Sequence, residues 1–419
     1  MDIASVYMSA ERNFSASPST IEKKTDKALS RISHHAQSNT KYYRDLFANL
    51  GLVSGLSRIS DLAKLPCLER EHVLASASDM MCAAVSTDLT WRKTSGTSGA
   101  PLRIPWSREQ LNAAIASRLR FSKKMGLRPW DSAAWVHYTG KLESTNADDF
   151  YEAYGRRSPS VMWTNPSKFL GCARRIESLE RFSPDLIASW PSDLARTGRV
   201  FVERRKNIAT RIVLAMGEVL TKCRREELGQ LWRGEVFEVY GASEFGLLAM
   251  ECADHHGLHL NSDLFVFEVL NGRGEASSDG RGELVVTNLY NRALPLFRYN
   301  THDLVVTSEG DRCSCGTYFP LVTSISGRFR DGVLRSDGSR VPPGVVMQAV
   351  ESVIGTIEYQ LTQESTGAFT LAVPRGQLGE DAFVHVHSAL ANLLGSLTLD
   401  LVVLCETVGK KQRKVVSKV

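Results

Sequence analysis

The chain has 419 residues and a mass of 46.4 kDa, and 43 % of its residues are apolar. This composition excludes a disordered tail protein and a small disulfide-held scaffold, and it is enough for a large core plus a second domain. The net charge of +5 is small for this length, so a nucleic-acid partner is not expected. No apolar run approaches the roughly 18 residues that span a bilayer, and no leader-like segment opens the chain, so we expect a cytoplasmic protein without membrane contact.

The first half of the chain combines a helical region with an alternating one. Residues 1–90 are predicted to be mostly helical, with helices at 21–38, 57–65 and 69–77, and residues 91–110 are turn-rich. From about residue 110 to 300, strand-like apolar segments alternate with amphipathic helical segments, which is typical of an α/β sheet. The predicted strands are 132–138, 186–190, 210–215 and 236–239, and the predicted helices are 111–124, 193–206 and 221–231.

The second half contains two further regions. Residues 258–325 are predicted to form a β-rich subdomain, with strands at 264–270, 282–288 and 303–307 separated by Asn-Gly and Asp-Gly turns. Residues 343–404 have a helix–strand–strand–helix–strand pattern, which predicts a small α+β domain after a short hinge. We therefore predict an α/β fold with a large N-terminal domain, residues 1–328, and a small C-terminal domain, residues 329–419.

A glycine- and hydroxyl-rich segment over residues 94–101 (TSGTSGAP) is the sharpest local motif. Its backbone N–H and hydroxyl groups are suited to phosphate oxygens, because glycine permits close approach and positive φ. It is not a Walker P-loop, since that motif needs a lysine. The alternative is a surface turn.

Three later motifs carry candidate ligands for a nucleotide. In residues 239–246 (VYGASEFG), Glu244 follows a strand and a turn, and carboxylate oxygens suit Mg²⁺. Asp303 ends the segment 295–303 (PLFRYNTHD), where it is suited to ribose hydroxyls, and Arg328 in residues 326–332 is suited to a phosphate. A turn corner, a solvated acid and a charged linker are the respective alternatives, and a solvated basic tail is the alternative for residues 409–413 (GKKQR).

In this order the motifs resemble the adenylate-forming superfamily, and within it the phenylacetate–CoA ligase-like branch. Residues 94–101 resemble its phosphate loop, residues 189–192 (SWPS) a short Y-P-S segment, and residues 240–244 its YGxSE motif. Gly217-Glu218 resembles an adenine-side GGE motif in which Met216 replaces the first glycine. Residues 282–287, 295–303, 327–328 and 409–413 resemble the GELVxT, PxxRYRTxD, hinge and terminal GKxxR motifs. The sequence departs from the pattern at Leu102, Asn300, His302 and residues 329–331.

The resemblance implies an enzyme that activates a carboxylic acid with ATP and Mg²⁺ to an acyl-AMP and then transfers the acyl group to CoA. It implies catalytic roles for Thr97, for Glu244 as the Mg²⁺ ligand, and for Lys410 between the substrate carboxylate and the α-phosphate. It implies a mobile C-terminal lid domain and ribose or phosphate contacts by Asp303 and Arg328. The remaining nucleotide-binding residues that it implies are Thr94, Ser95, Gly96, Ser98, Gly99, Gly217, Glu218, Tyr240, Gly241, Ala242 and Ser243.

Two other functions stay open. The acyl group could be delivered to a carrier protein or an amine instead of CoA, or the chain could be a non-catalytic nucleotide-binding module. A homodimer is compatible with the sequence, but nothing in the sequence requires it.

The acid is predicted to be aromatic. A strand-end segment with aromatic and imidazole side chains, Trp135 to Tyr138, lies in the region that lines the acid pocket in the family. The candidate substrate-binding residues are Trp135, His137, Tyr138, Trp190 and Met216. Ordinary core packing is the alternative for Trp135 and Tyr138.

The eight cysteines do not indicate a disulfide framework in a long chain of this class. Three of them favour a metal site: Cys252 precedes a histidine-rich segment, and Cys313 and Cys315 form a Cys-x-Cys pair. With His259 they would form a Cys₃His set, which is a structural zinc arrangement. His255 or His256 could replace His259, and three unligated cysteines are the alternative.

Overall fold

The computed structural model describes residues 3–85, 89–94, 102–128, 130–136, 161–164, 179–206, 208–308, 312–404 and 413–419. Its α-helices are α1 Ile3–Phe14, α2 Pro18–Asn39, α3 Lys41–Asn49, α4 Arg70–Met80, α5 Arg108–Lys124, α6 Pro191–Glu203, α7 Lys222–Trp232, α8 Pro343–Ile354 and α9 Glu380–Leu394. Within these described ranges, no helix is both long enough and apolar enough to cross a bilayer.

The strands are β1 Thr90–Lys93, β2 Arg103–Trp106, β3 Ala133–Val136, β4 Val161–Thr164, β5 Leu186–Ser189, β6 Ile212–Met216, β7 Glu235–Ala242, β8 Gly246–Glu251, β9 Leu258–Leu260, β10 Phe265–Leu270, β11 Arg281–Asn288, β12 Tyr299–Ser308, β13 Leu321–Arg328, β14 Val333–Leu334, β15 Arg340–Val341, β16 Gln360–Ser365, β17 Ala368–Val373, β18 Thr398–Val403 and β19 Val415–Ser417.

Residues 1–126 and 239–324 form one compact unit. Its strands follow the order β10-β11-β12-β13-β9-β8-β7, and β8 pairs with both β7 and β9 in the antiparallel sense. Helix α5 begins after its N-cap Ser107, whose side chain accepts a hydrogen bond from the Gln110 N–H. Helix α5 packs on α1 and β8, and its buried Arg120 forms an ion pair with Asp263 (Nη1–Oδ2 2.8 Å). These contacts fix the helical N-terminal region against the sheet.

The second compact unit consists of residues 127–238 and 325–419. Strands β6, β5, β3 and β4 lie in this order, and the pairs β5–β6, β3–β5 and β3–β4 are parallel. Strand β5 is buried along its whole length, as expected for a parallel strand that is covered on both faces. The core around it is formed by apolar residues of β5, β6, α6 and α7: Ile187, Leu194, Phe201, Val213, Ala215, Leu228 and Trp232.

Residues 325–419 carry a four-stranded sheet in the order β18-β17-β16-β19. Strands β16 and β17 are antiparallel, whereas β16–β19 and β17–β18 are parallel. Helices α8 and α9 pack together, and one apolar core joins them to the sheet, with Val346, Val350, Leu361, Leu371, Val386 and Leu390 at its centre.

The α/β fold class is confirmed, and so is the alternation of strands and helices after residue 110. In the segment predicted to be turn-rich, residues 91–110, the described residues instead include β1 and β2, which pair in the antiparallel sense. The helix–strand–strand–helix–strand pattern predicted over residues 343–404 is present as α8, β16, β17, α9 and β18. The domain boundary at residue 328 stays a prediction.

Candidate active site and metal centre

The phosphate-loop motif begins at the end of the β1–β2 hairpin. The Thr94 N–H donates to the Leu102 carbonyl oxygen (3.0 Å), and Oγ1 of Thr94 accepts from the Leu102 N–H (2.9 Å). The same Oγ1 accepts from Nη2 of Arg70 (3.1 Å). Ser95, Gly96, Thr97, Ser98 and Gly99 lie outside the described residues. The structure therefore places the first residue of the motif and gives it a cationic neighbour.

Glycines shape the corner between β7 and β8. A Cβ on Gly241 would lie 2.4 Å from the Gly246 carbonyl oxygen, and Gly246 has φ +85°, a conformation that favours glycine. Trp106 donates from Nε1 to the Ser243 carbonyl oxygen (3.2 Å). Ala242 pairs with Gly246, so residues 240–244 form a fixed turn that positions Glu244.

Glu244 is buried and has two partners on Oε1. The Tyr299 hydroxyl donates to it (3.0 Å), and Nη1 of Arg70 lies 3.9 Å away. Burial, followed by the charge of Glu244, raises the pKa of Tyr299, so the phenol keeps its proton and stays a donor. Because Arg70 also contacts Thr94, it links the start of the phosphate-loop motif to the predicted Mg²⁺ ligand.

Asp303 is held by Tyr240. The Tyr240 hydroxyl donates to Oδ2 of Asp303 (2.7 Å), and the Asp303 N–H donates to Oγ1 of Thr301 (3.2 Å). The two predicted residues are 63 positions apart in the sequence, and the fold brings them into direct contact. The corner that carries Glu244 and the strand that carries Asp303 therefore form one cluster.

Sequence analysis missed several residues of this cluster. Arg70 and Trp106 gave no motif signal, and Tyr299 was visible only as the tyrosine of the 295–303 segment.

Asn300 and His302, which depart from the family motif, both have side-chain partners. Asn300 donates to Glu283 (2.7 Å), and the His302 ring lies between Glu69 (Nε2–Oε2 2.6 Å) and Glu283 (Nδ1–Oε2 2.8 Å).

A second group of predicted residues lies in the unit that contains residues 127–238. Gly217 has φ +75°, and a Cβ there would lie 3.0 Å from Cδ1 of Trp190. Glu218 accepts from the Ser192 N–H (3.0 Å) and hydroxyl (2.9 Å), so it satisfies a donor at the first turn of α6. These contacts place the indole of Trp190 directly over Gly217.

The other predicted substrate residues are only partly described. Met216 and Trp135 are half-buried, at the end of β6 and near the end of β3. His137 and Tyr138 lie outside the described residues.

The hinge residues are described, but the terminal lysine is not. Arg328 ends β13 and is exposed. Three residues further on, Asp331 forms an ion pair with Arg413 (Oδ1–Nη1 3.2 Å), which connects the hinge motif to the last residue of the GKxxR motif. Lys410 lies outside the described residues.

The predicted metal ligands Cys252, His259, Cys313 and Cys315 converge. Their ligand atoms all lie within 4.8 Å of one another. The Cys252 and Cys313 Sγ atoms are 3.7 Å apart, and Sγ of Cys315 is 3.4 Å from Nε2 of His259. Zn–S bonds of about 2.3 Å at tetrahedral angles put two sulfurs about 3.8 Å apart. The cluster therefore has the size of a tetrahedral zinc site.

The surroundings orient these ligands. Nδ1 of His259 lies 3.2 Å from the Phe319 carbonyl oxygen, which selects the tautomer that leaves Nε2 as a metal ligand. A hydrogen bond from the Cys315 thiol lowers the pKa of Cys252 to about 4, so one thiolate is favoured in the cluster. His255 instead faces Glu251 (3.3 Å), so the structure favours His259 among the three histidines.

Comparisons with known proteins agree with the motif order. No protein-family model matches the chain. It is 27 % identical over 310 residues to phenylacetate–coenzyme A ligase from Pseudomonas putida, covering 71 % of this chain and 68 % of the relative. It is 23 % identical over 402 residues to phenylacetate–coenzyme A ligase from Escherichia coli, covering 91 % and 90 %.

The chain is therefore similar to phenylacetate–CoA ligases, as its motif order predicts.

Solved structures show the same fold. A 2-hydroxyisobutyryl-CoA ligase in complex with 2-HIB-AMP aligns with a TM-score of 0.81 at 18 % identity, over 96 % of this chain and 90 % of that one. An anthranilate CoA ligase in complex with anthranoyl-AMP aligns with a TM-score of 0.57 at 13 % identity, over 78 % and 66 %. The fold of the 2-hydroxyisobutyryl-CoA ligase thus extends over nearly the whole chain.

Proposed function

We propose that this adenylate-forming chain uses ATP to activate a carboxylic acid and then transfers the acyl group to CoA. The observation that supports this most is the cluster in which Arg70 contacts both Thr94 and Glu244, next to the Tyr240–Asp303 pair. Three motifs of a nucleotide-activating site contribute to that cluster, and the curated relatives are named CoA ligases.

In the first half-reaction, a carboxylate oxygen of the acid attacks the α-phosphorus of ATP. A carboxyl–phosphorus bond forms, the α–β phosphoanhydride bond breaks, and pyrophosphate leaves. Thr94 opens the loop that would hold the β- and γ-phosphates, and Arg70 adds positive charge beside it. The oxygens of Asp303, oriented by Tyr240, would accept the ribose hydroxyls. Preorganised donors of this kind stabilise charge that develops in the transition state.

Glu244 would hold Mg²⁺, which supplies neutralisation of phosphate charge when bound. Both described contacts of Glu244 use Oε1. Tyr299 keeps the carboxylate in one orientation toward the corner.

In the second half-reaction, the CoA thiol attacks the acyl carbon of the acyl-AMP. A thioester bond forms, the bond to the AMP oxygen breaks, and AMP leaves.

Lys410 is the proposed partner of the acid carboxylate and the α-phosphate in the first half-reaction. The acid is proposed to be aromatic, on the grounds of Trp135 and Trp190 among the candidate pocket residues.

Cys252, His259, Cys313 and Cys315 would hold one structural Zn²⁺. Four protein ligands leave no open position for substrate, which separates this centre from the chemistry. The proposal is supported by the ligand distances and by the Phe319 carbonyl that orients His259.

The test is pyrophosphate release with ATP, Mg²⁺ and a panel of aromatic and aliphatic acids, with and without CoA, and products identified by mass spectrometry. We expect one acid class to give acyl-AMP and, with CoA, acyl-CoA. Accumulation of acyl-AMP that CoA does not consume would assign the acceptor to a carrier protein or an amine. No pyrophosphate from any acid, combined with AMP binding, would contradict the activity and support a non-catalytic module.

A further inference from the structure

The outer face of the β1–β2 hairpin carries an exposed indole and two cations. Lys93 pairs with Arg103 and Trp91 pairs with Pro105 in the antiparallel register, so Trp91, Lys93 and Arg103 lie on one face. Trp91 is 43 % exposed, and the Arg103 guanidinium lies 5.1 Å from its ring centroid. Within the described part of the chain, neither Lys93 nor Arg103 has a carboxylate partner.

The opposite face fixes this hairpin to the candidate active site. Ile104 and Trp106 are buried, and Trp106 donates to the Ser243 carbonyl oxygen. The Ser243 hydroxyl in turn donates to the Lys93 carbonyl oxygen (3.2 Å). The outer face is therefore held at a fixed distance from the corner that carries Glu244, while its own side chains point away from that corner.

An exposed indole beside two cations that have no carboxylate partner among the described residues is complementary to a flat ring that carries phosphates. Aromatic side chains stack on nucleobases, and guanidinium and ammonium groups bind phosphate oxygens through charge-assisted hydrogen bonds. The proposed reaction uses two nucleotides. The ATP phosphates are assigned to the inner side of the hairpin, where Thr94 and Glu244 lie, which leaves the nucleotide end of CoA for the outer side.

We propose that Trp91, Lys93 and Arg103 bind the 3′-phosphorylated adenosine diphosphate end of CoA. This inference rests on CoA being the acyl acceptor. The indole of Trp91 stacks on the adenine, and Lys93 and Arg103 bind phosphates, while the pantetheine arm carries the thiol to the acyl-AMP. The hairpin then contributes to CoA affinity and not to adenylation.

The experiment compares three thiol substrates, CoA, dephospho-CoA and pantetheine, in variants Trp91→Ala, Arg103→Gln and Lys93→Gln. We expect Trp91→Ala and Arg103→Gln each to raise the KM for CoA about tenfold and to leave the KM for pantetheine and the kcat unchanged. The preference for CoA over dephospho-CoA should shrink in at least one of the two charge variants. Trp91→Phe, which keeps a ring, should recover most of the CoA affinity.

The rate of adenylation in the absence of thiol, measured by pyrophosphate exchange, tests the first half-reaction independently of CoA binding. We expect this rate to be unchanged in all four hairpin variants. Arg273→Gln, which removes an exposed cation from another turn of the same unit, is the matched charge control and should leave the KM for CoA unchanged. Equal increases in the KM for CoA and pantetheine, or a loss of adenylation in the variants alone, would overturn the hairpin site. A wild-type enzyme that adenylates but ignores CoA would instead refute the acceptor assignment.

Discussion

Glu244 is buried, and its Oε1 accepts a hydrogen bond from Tyr299 and lies 3.9 Å from Nη1 of Arg70. A buried carboxylate needs such partners, because an unpaired charge away from water is costly. Tyr299 stays protonated and donates its hydrogen bond at any ordinary pH, because burial raises the pKa of its hydroxyl. The pair is therefore a fixed arrangement in which a single hydroxyl can be removed without changing the charge of the site.

Tyr299→Phe should weaken the proposed Mg²⁺ site. A hydrogen bond to a charged group is worth about 1.5–3 kcal/mol, so we expect adenylation to slow by about tenfold or more and to need more Mg²⁺. The measurement is pyrophosphate exchange as a function of Mg²⁺ concentration. Tyr318→Phe, which removes a tyrosine hydroxyl from the connection between β12 and β13 in the same unit, is the control. An unchanged Mg²⁺ dependence in Tyr299→Phe would remove Glu244 from this role.

Lys410 tests the two half-reactions separately. Because its proposed contact is with the carboxylate and α-phosphate of the first step, Lys410→Ala should abolish adenylation. Thiolysis of supplied acyl-AMP should be largely intact. Single-turnover assays of each half-reaction measure both, and an equal loss of the two would contradict the assignment.

Asp193 is a buried carboxyl in the first turn of α6. Its Oδ2 has no hydrogen-bond partner among the described residues, and Arg196 is 3.8 Å from its Oδ1. Burial, followed by the charge of Glu218, raises the pKa of Asp193 to about 7. The native state therefore keeps a proton over a pH range in which the unfolded chain has lost it.

This proton makes the stability depend on pH. Below about pH 4 both states are protonated, and between about pH 4 and 7 the free energy of unfolding should fall by about 1.4 kcal/mol per pH unit. Above that range the contribution is constant. Asp193→Asn should remove this fall, so its stability relative to wild type should rise by up to about 4 kcal/mol from pH 4 to 7. Urea unfolding of both proteins measures it, and parallel pH profiles would show that Asp193 titrates normally.

At the scale of elements, the metal cluster connects two turns. Cys252 and His259 flank the β8–β9 turn, and Cys313 and Cys315 lie in the connection between β12 and β13. Strands β9 and β13 pair through Leu258–Val322 and His259–Leu321, and the Leu260 N–H donates to the Pro320 carbonyl oxygen beside them. A bound ion would therefore fix a short strand pairing that backbone hydrogen bonds alone hold weakly.

Cys313→Ser should lose the zinc and destabilise this connection. We expect one zinc per chain in the wild type, and a melting temperature lower by about 5 °C or more in the variant. Cys223→Ser, which changes a cysteine in α7 far from the cluster in sequence, is the control and should keep its zinc. Metal analysis and calorimetry make the comparison. A wild-type protein that is purified without metal at full stability would argue for unligated cysteines.

Periodicity predicted most elements of the fold, because the apolar patterns of β5, β6, β10 and α9 match their burial. It did not predict the β1–β2 hairpin, since short strands next to a glycine-rich segment resemble a turn. The Tyr240–Asp303 contact and the role of Arg70 depend on strand order, which no local pattern contains. The cysteine ligands could be predicted from residue type and spacing, but the choice of His259 over His255 and His256 needed the fold.

At the scale of the whole molecule, a charged network joins residues 325–419 to helices α6 and α7 of the same unit. Glu358 accepts from Arg199 (3.1 Å) and Arg224 (3.2 Å), and both arginines also contact Glu227. A second branch joins Glu351 to Thr221 and Lys414. Burial alone would raise the pKa of Glu358, but Arg224, Lys414 and Arg199 outweigh it and hold that pKa below its ordinary value.

This network stabilises the unit while all of its charges are paired. Removing one charge lowers the free energy of unfolding, because the remaining charges stay buried with fewer partners. Glu358→Gln leaves Arg224 and Arg199 with one carboxylate fewer, and breaking a buried pair costs about 3–5 kcal/mol. We expect a loss near the lower end of this range, because Glu227 still pairs with both arginines. Glu226→Gln, whose partner Lys222 is exposed, should change stability by less than about 0.5 kcal/mol.

Limited proteolysis can locate where this loss acts. If residues 329–419 form a separate domain, Glu358→Gln should expose the segment near residue 328 to protease. A C-terminal fragment should then be released faster than in the Glu226→Gln control. The urea midpoint of global unfolding should change less than the rate of fragment release. A variant that unfolds in one step with no faster fragment release would show instead that residues 325–419 and 127–238 fold as one body. In that case residues 329–419 would not be a separate unit of unfolding, which contradicts the predicted boundary at residue 328. It would also argue against a C-terminal lid domain that moves during catalysis by opening this charged network.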